Sequence, residues 1–493
     1  MGLFNVFFEE YEKAVQVEAG TTLLAAAAGA GIEIYSPCSG RGICGKCRVS
    51  VDGADVLACR YTVASDITVK ACRTDAVMLG DSGLKVFETD GTCRFAAAFD
   101  IGTTSVAGFI MDGKSGRTLA SGNRLNPQAS FGSDLISRIQ QSIKGRSEQL
   151  QDVIVSCISE MILSLSDSCS VDPSDIGCVA VAGNTAMLHL FMGKDPKPLT
   201  VPPYMPLSAS SEEFTNNGWL PAADDAVIRI LPCIAGFVGG DTAGCMLSCG
   251  FDEAEDTTLL IDIGTNGEMV LGNKDRFCAC STAAGPAFEG AGIAYGMIAS
   301  PGAISHVRTV SGKLECDVIG GGEARGICGS GLLDAVSCLL EIGALDDSGR
   351  MEPDGSGNWT ISDGVPAYIL RDGVSVTQKD IRQLQLAKGA IRAGIELLCR
   401  HLGKKPEEIG KVLLAGAFGN YLDPSSACRI GMIPQELAGR IVPVGNAAGD
   451  GARMCSLSAA QFARCSSAAA SCEFIELASL DDFQDTFVEN MLF

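Results

Sequence analysis

"FAAAFDIGTTSVAGFIMD", residues 95–112, reads as an apolar strand, a Gly-Thr-Thr turn and a second apolar strand. "TLLIDIGTNGEMVLGN", residues 258–273, repeats that layout, with Asp100 and Asp262 in the same place in each copy. A repeated supersecondary unit constrains the whole fold, so the pattern predicts two similar α/β halves, 95–256 and 257–493. In the first copy Gly102 lets the backbone approach a phosphate, and Thr103 and Thr104 offer it hydroxyls and N–H groups. Asp100 is placed to hold Mg²⁺ or a water bound to it. Asp262, Gly264, Thr265, Asn266 and Gly267 can act likewise from the opposite side, so that the two hairpins clamp a triphosphate. Asp262 is expected to orient the water or metal for γ-phosphate cleavage while Asp100 positions the metal; the alternative is that one aspartate only caps its own turn. Each hairpin alone could be an ordinary strand pair. The second copy, and a third glycine turn at Gly416 and Gly419 placed for an adenosine, favour ATP with Mg²⁺ as the ligand. No G-x-x-x-x-G-K-[ST] loop is present, which argues against a P-loop ATPase.

Outward from the hairpins, residues 134–164, 183–193, 331–345 and 378–403 carry helical patterns. In the last, Ile381, Leu384, Ala387, Ile391, Ile395 and Leu398 recur at helical spacing. "KVLLAGAFGNYLDP" (411–424) reads as a buried strand, a glycine turn and a helix start. Residues 456–493 are Ala/Ser-rich and then acidic, with no chemical reading.

The N-terminal 72 residues have a different character. Residues 3–18 predict a strand hairpin, and "GTTLLAAAAGAGI" predicts a short helix capped by Thr21 or Thr22. Cys38, Cys44 and Cys47 then fall in a glycine-rich loop, and Cys59 follows after eleven intervening residues. Four thiolates at this spacing suit an iron–sulfur cluster, whose sulfides take hydrogen bonds from a glycine-loop backbone. A structural zinc site, the alternative, usually pairs two short cysteine knuckles, and only one C-x-x-C occurs here. Residues 73–94 are polar and weakly periodic and read as a linker or connecting strand.

Composition narrows the partners. There are 37 Lys+Arg against 59 Asp+Glu, a net charge of −22, which repels a phosphate backbone and argues against nucleic-acid binding. No apolar stretch reaches the roughly 18–20 residues of a membrane helix, and the acidic N-terminus lacks the basic start of a signal peptide. The expectation is a soluble, cytoplasmic protein. Its 22 cysteines then point to metal or redox use and inert thiols, not to disulfides, and three histidines argue against a His-rich metal centre.

Residues 1–72 resemble the 2Fe-2S ferredoxins through the hairpin, "CSGRGICGKC" and "LACRYTVASDITV". The resemblance implies a β-grasp domain and selects Cys59 over Cys72 as fourth ligand, because Ser65, Asp66 and Ile67 follow it as in that family. The segment before this fourth ligand is shorter than the family's. "DIGTTS", "DIGTNGE" and "LLAGAFGN" are similar to the phosphate and adenosine motifs of the acetate and sugar kinase/Hsp70/actin superfamily. The two together, with "GNTAMLHLFMGKDP", "LPCIAGFVGGDTAG" and "GICGSGLLDAV", resemble the reductive activators of corrinoid proteins. That resemblance implies an ATP-dependent enzyme that returns a corrinoid protein of a methyltransferase system from Co(II) to Co(I). Electrons would come from an upstream donor through the 2Fe-2S cluster. The reading kept beside it is an iron–sulfur electron carrier whose ATPase-like half is a nucleotide sensor without turnover.

Overall fold

The computed structural model describes residues 2–32, 34, 36, 40, 42, 47–70, 85–132, 134–419 and 421–493, the side chains of Ala417 and Phe418 excepted. Cys38, Cys44 and Cys72 lie outside the described residues.

The N-terminal unit is a β-grasp. Strands β1 (Leu3–Phe8) and β2 (Lys13–Glu18) form the expected hairpin. Helix α1 (Leu23–Gly29) follows, its first turn closed by Thr22 Oγ1 accepting from the Ala25 N–H at 3.3 Å. Strands β3 (Arg48–Val51), β4 (Ala54–Leu57) and β5 (Ile67–Lys70) complete a sheet of order β2-β1-β5-β3-β4, with β5 parallel to β1. Strict alternation puts Val6 and Phe8, Val49 and Val51, and Ile67 and Val69 on the face that α1 covers with Leu23, Ala26 and Ala27.

The first half opens with the meander β6 (Phe95–Ile101), β7 (Ser105–Asp112) and β8 (Thr118–Leu125). Helices α2 (Leu135–Gln141) and α3 (Ser147–Ser168) lead to β9 (Ile176–Gly183), and α4 (Thr185–Phe191) leads to β10 (Glu212–Thr215), β11 (Val227–Ile230) and α5 (Gly240–Ser248). The helical pattern at 134–164 is two helices because a wide turn at 142–146 carries Gly145 at φ 87°.

The second half repeats the meander as β12 (Thr258–Ile263), β13 (Gly267–Asn273) and β14 (Arg276–Thr282). An insertion follows, with sheets β15 (Ala303–Val310), β16 (Lys313–Val318) and β17 (Gly326–Ile327), helix α6 (Gly329–Glu341), and sheet β18 (Trp359–Ser362), β19 (Val365–Arg371) and β20 (Val374–Thr377). Helix α7 (Gln378–Leu402) starts at a Thr377–Asp380 capping box. Strand β21 (Lys411–Ala415), the short α8 (Gly416–Gly419), α9 (Pro424–Arg429), β22 (Ile441–Gly445), α10 (Ala447–Leu457), α11 (Ala459–Ser471), β23 (Glu473–Phe474) and α12 (Phe483–Glu489) end the chain.

The sheets run β10-β11-β9-β6-β7-β8 and β22-β21-β12-β13-β14-β23. In both, the first meander strand pairs antiparallel with the second and parallel with a later strand. The duplication expected from the two Asp-Gly-Thr turns is therefore a duplicated topology, that of the actin/Hsp70-like fold.

Period-two alternation sorts each opening strand. Ala96, Ala98 and Asp100 share one face of β6, while Ala97, Phe99 and Ile101 share the other with α3 and α4. On β12, Leu260 and Asp262 share a face, and Leu259, Ile261 and Ile263 face α6 and α7. The two aspartate faces both look onto one layer, α5, α10 and α11. Helices α10 and α11 come late in the chain, yet Ala452, Cys455 and Cys465 pack on the first sheet. The segment 85–92 is strapped to this layer: Lys85 pairs with Asp450, and Phe87 lies 4.6 Å from the guanidinium of Arg453.

Only small residues let α5 and α10 cross this closely. A Cβ on Gly451 would lie 2.3 Å from the Gly244 carbonyl oxygen. Gly451→Ala must separate the two helices, and overpacking of this kind costs about 1–3 kcal/mol. The variant is expected to melt several degrees below the parent in a thermal scan, whereas Gly439→Ala, which meets nothing within 4 Å, should leave the melting temperature unchanged.

Candidate active site

The two hairpin turns meet in the cleft between the sheets. Each is closed from its glycine: the Gly102 N–H donates to the Ser105 carbonyl three residues on, and the Gly264 N–H to the Asn266 carbonyl two residues on, both at 2.9 Å. The first turn is held from behind by three buried or half-buried side chains. Asn126 Nδ2 donates to the Gly102 carbonyl at 2.8 Å, Asn184 Nδ2 to Thr103 Oγ1 at 3.1 Å, and Arg138 Nη2 to the Thr103 carbonyl at 2.6 Å. Arg138 is fully buried, and burial lowers its pKa to about 10 although Asp134 and Glu289 oppose the shift. Thr104 and Thr265 instead donate their hydroxyls to one carboxylate, that of Glu289, at 2.8 Å each.

Asp100 and Asp262 do come together, and two further carboxylates join them. Asp241 stands in the first turn of α5, and Glu268 is paired across from Asp262 in the β12–β13 ladder. All four still reach solvent along the cleft, while protein surrounds them on the other sides. Burial, and then the charge of Asp241, raise Asp100 to about 7, against a lowering hydrogen bond from Asn446. Asp262 is raised to about 7 by burial, Asp241 and Asp100 in that order. Asp241 is raised chiefly by burial, and Glu268 is pushed well up by burial and the two aspartates, although Asn266 donates to it.

Gly416 sits against this group, with a Cβ there falling 2.7 Å from Asp262 Oδ1. Gly419 packs back on the Leu414 carbonyl instead. Gly267 opens β13, where a Cβ would meet Thr282 Oγ1 at 2.9 Å. Asp241, Glu268, Glu289, Asn446 and Arg138 escaped the sequence reading. Glu268 follows Gly267 in the quoted motif, and Asp241 follows Gly-Gly at a helix start; nothing local marks the other three.

In the β-grasp unit, Cys47 and Cys59 are neighbours. The Ala58 N–H donates to the Cys47 carbonyl at 2.8 Å, and the Cys47 thiol is raised first by burial and then by interaction with the Cys59 thiol. Gly40 lies over Cys59, its missing Cβ 3.8 Å from the Cys59 Cβ, and Arg60 Nη2 donates to the Gly42 carbonyl at 2.6 Å. Two adjacent thiols under a glycine loop fit a cluster site.

A raised carboxylate pKa makes the folded chain bind more protons than the unfolded one between the ordinary value near 4 and the folded value near 7. Stability then falls as pH rises through that window. Asp100→Asn removes the ionisation, so without nucleotide the variant should outlast the parent in thermal melts at pH 8, with the gap narrowing as the pH falls below 7 and closing only near pH 4. An equal gap at pH 8 and near pH 4 would show that ionisation of Asp100 is not what opposes folding.

Three family models match in series: the 2Fe-2S iron-sulfur cluster binding domain at residues 6–76, the RACo middle region at 95–254, and the C-terminal ASKHA domain of RACo at 256–493. The chain is 34% identical over 428 residues to the corrinoid activation enzyme RamQ of Eubacterium limosum, covering 81% of this chain and 70% of that protein. It is 28% identical over 390 residues to the [Co(II) methylated amine-specific corrinoid protein] reductase of Methanosarcina barkeri, covering 71% of this chain and 68% of that one. Among solved structures, a reductive activator for corrinoid, iron-sulfur protein aligns over 99% of this chain and 98% of its own, with a TM-score of 0.74 and 28% identity. With the cysteine loop and the duplicated hairpins in one polypeptide, the chain belongs to the RACo family, the reductive activators of corrinoid proteins.

Proposed function

We infer that this protein drives the ATP-dependent reduction of a corrinoid protein's cobalt from Co(II) to Co(I). The observation that carries the reading is the union, in one chain, of a 2Fe-2S domain with two phosphate-type hairpins facing one cleft. When bound, the cluster supplies one electron at a time, at a potential near about −400 mV for centres of this type. Cys38, Cys44, Cys47 and Cys59 are proposed to hold it. The adjacency of Cys47 and Cys59 supports the fourth assignment, while Cys72 lies outside the described residues.

In the cleft, Thr103 and Thr104 with Gly102, and Thr265 and Asn266 with Gly264 and Gly267, are proposed to cradle the phosphates. Gly416 and Gly419 would border the adenosine. Asp100 and Asp262 are proposed to position Mg²⁺ and the attacking water. Among the described residues no three His, Cys, Asp or Glu side chains are close enough to hold a metal by themselves. Mg²⁺ keeps several waters and arrives with phosphate oxygens as partners. Its charge would also relieve the crowding of the four carboxylates. Arg138, behind the first turn, orients the Thr103–Thr104 backbone and adds positive charge where phosphate charge would build.

Each ~59 mV of uphill one-electron transfer costs a factor of ten in equilibrium. ATP offsets such a cost only through conformations that bind it differently, and two halves hinged on a shared helical layer are such a device. The partner is proposed to be the corrinoid protein of a methyltransferase system, and an upstream donor must reload the cluster. No helix among the described residues is long and apolar enough to cross a membrane.

Two measurements test the reading. Asp262→Asn, with the cluster intact and pre-reduced, should still bind ATP, hydrolyse it at least about a hundredfold more slowly, and form no Co(I) absorbance in a corrinoid protein. Normal Co(I) formation without hydrolysis would leave nucleotide binding as the driver and make the ATPase half a sensor. Cys47→Ala and Cys59→Ala should each abolish the visible iron–sulfur absorbance of anaerobically purified protein. A coloured Cys59→Ala protein would move the fourth ligand to another cysteine.

A further inference from the structure

Glu289 ends a single 3-10 turn, Pro286–Glu289, in the second half. Its Oε2 accepts from Thr104 Oγ1 across the cleft, and its Oε1 accepts from Thr265 Oγ1, both at 2.8 Å. The same Oε1 is 4.0 Å from where a Cβ on Gly264 would lie. One carboxylate thus spans the two turns proposed to cradle phosphate, with the buried Arg138 attracting it from behind the first. Two oxygens of one anion, each taking a hydroxyl from an opposing turn, reproduce the contacts that a phosphate group would make there.

We propose that Glu289 is an internal stand-in for phosphate, which nucleotide must evict before it can use both threonine hydroxyls. Each hydroxyl carries one proton to donate, so Thr104 and Thr265 cannot serve Glu289 and a phosphate oxygen at once. A carboxylate left in place would also repel the incoming phosphate. The binding-competent fraction is the one in which Glu289 has swung off the two hydroxyls, and the measured affinity is scaled down by that fraction. Ala287 and Phe288 stay buried in the core of the second half, so the piece that moves is the end of the turn, Glu289 with the flanking Gly290 at φ 77°. Glu289 is thereby a positioning residue that sets nucleotide affinity, and its bond to Thr104 ties the two halves across the cleft.

The proposal rests on the nucleotide reading, and the experiment separates the two. Calorimetric titration with a non-hydrolysable ATP analogue and Mg²⁺ is carried out on the full chain and on Glu289→Gln and Glu289→Ala, with melting temperature and iron–sulfur absorbance as folding controls. Both variants should bind at least about fivefold more tightly than the parent; unchanged or weaker binding overturns the proposal. Hydrogen exchange on the parent decides the matter even if neither variant folds. The analogue should protect residues 102–105 and 264–267 while speeding exchange of the Gly290 and Ala291 amides, which donate to Ala287 and Pro286. Slower exchange at Gly290 and Ala291 overturns the eviction. Absence of protection at both turns removes the nucleotide reading itself, and the proposal with it.

Discussion

Four carboxylates, Asp100, Asp241, Asp262 and Glu268, face one cleft, and the charges of the three aspartates raise the cost of ionising their neighbours. Like charges at this depth are tolerated only where something compensates them. Part of the compensation is built in: Asn446 and Asn266 donate to Asp100 and Glu268, and Arg138 lies buried behind the first turn. The rest is met by protons, which the raised pKa values keep on these carboxyls toward neutral pH. In the proposed function a divalent cation travelling with a polyphosphate would take over that role, while phosphate oxygens take the threonine hydroxyls and turn amides. The site is thus arranged around an unfavourable interaction that the proposed ligand would relieve.

The same constraint gives the helical layer between the sheets its importance. Asp241 rides on the start of α5, and Asn446 caps α10 by accepting from the Gly449 N–H at 2.7 Å. One turn further along α10, Asp450 pairs with Arg453 and with Lys85 of the strap that leads back toward the β-grasp unit. Arg453 is sandwiched between Phe87 and Phe109, 4.6 and 4.4 Å from the ring centres. A helix moves as a rigid piece, so the end of α10 that touches a cleft carboxylate and the turn that anchors the strap cannot shift independently. The backbone contact of Gly451 with Gly244 ties α5 into the same body.

Much of this was legible in the residues. The two Asp-Gly-Thr turns carry their own periodicity, since alternation in "FAAAFDI" and "TLLIDI" sets which face each aspartate takes, and a strand's alternation is local. The Thr22 cap of α1, the Thr377–Asp380 box of α7 and the β1–β2 hairpin are likewise settled by residues within a few positions of one another. The cysteine spacing and the glycine turns are local as well, and no distant partner is needed to recognise them.

What only the tertiary structure decided is where distant parts of the chain meet. No pattern near Glu289 announces a partner 185 residues away. Arg138 reads as one more charged residue on a helix until the fold buries it against Thr103. The late helices α10 and α11 pack on the first sheet, although sequence order alone assigns them to the second half. Short-range sterics and hydrogen bonding write strands, turns and caps into adjacent residues. The acidity of the cleft, its buried cation and the carboxylate across its mouth depend on chain closure over hundreds of residues, and that exists only once both sheets have packed on their common layer.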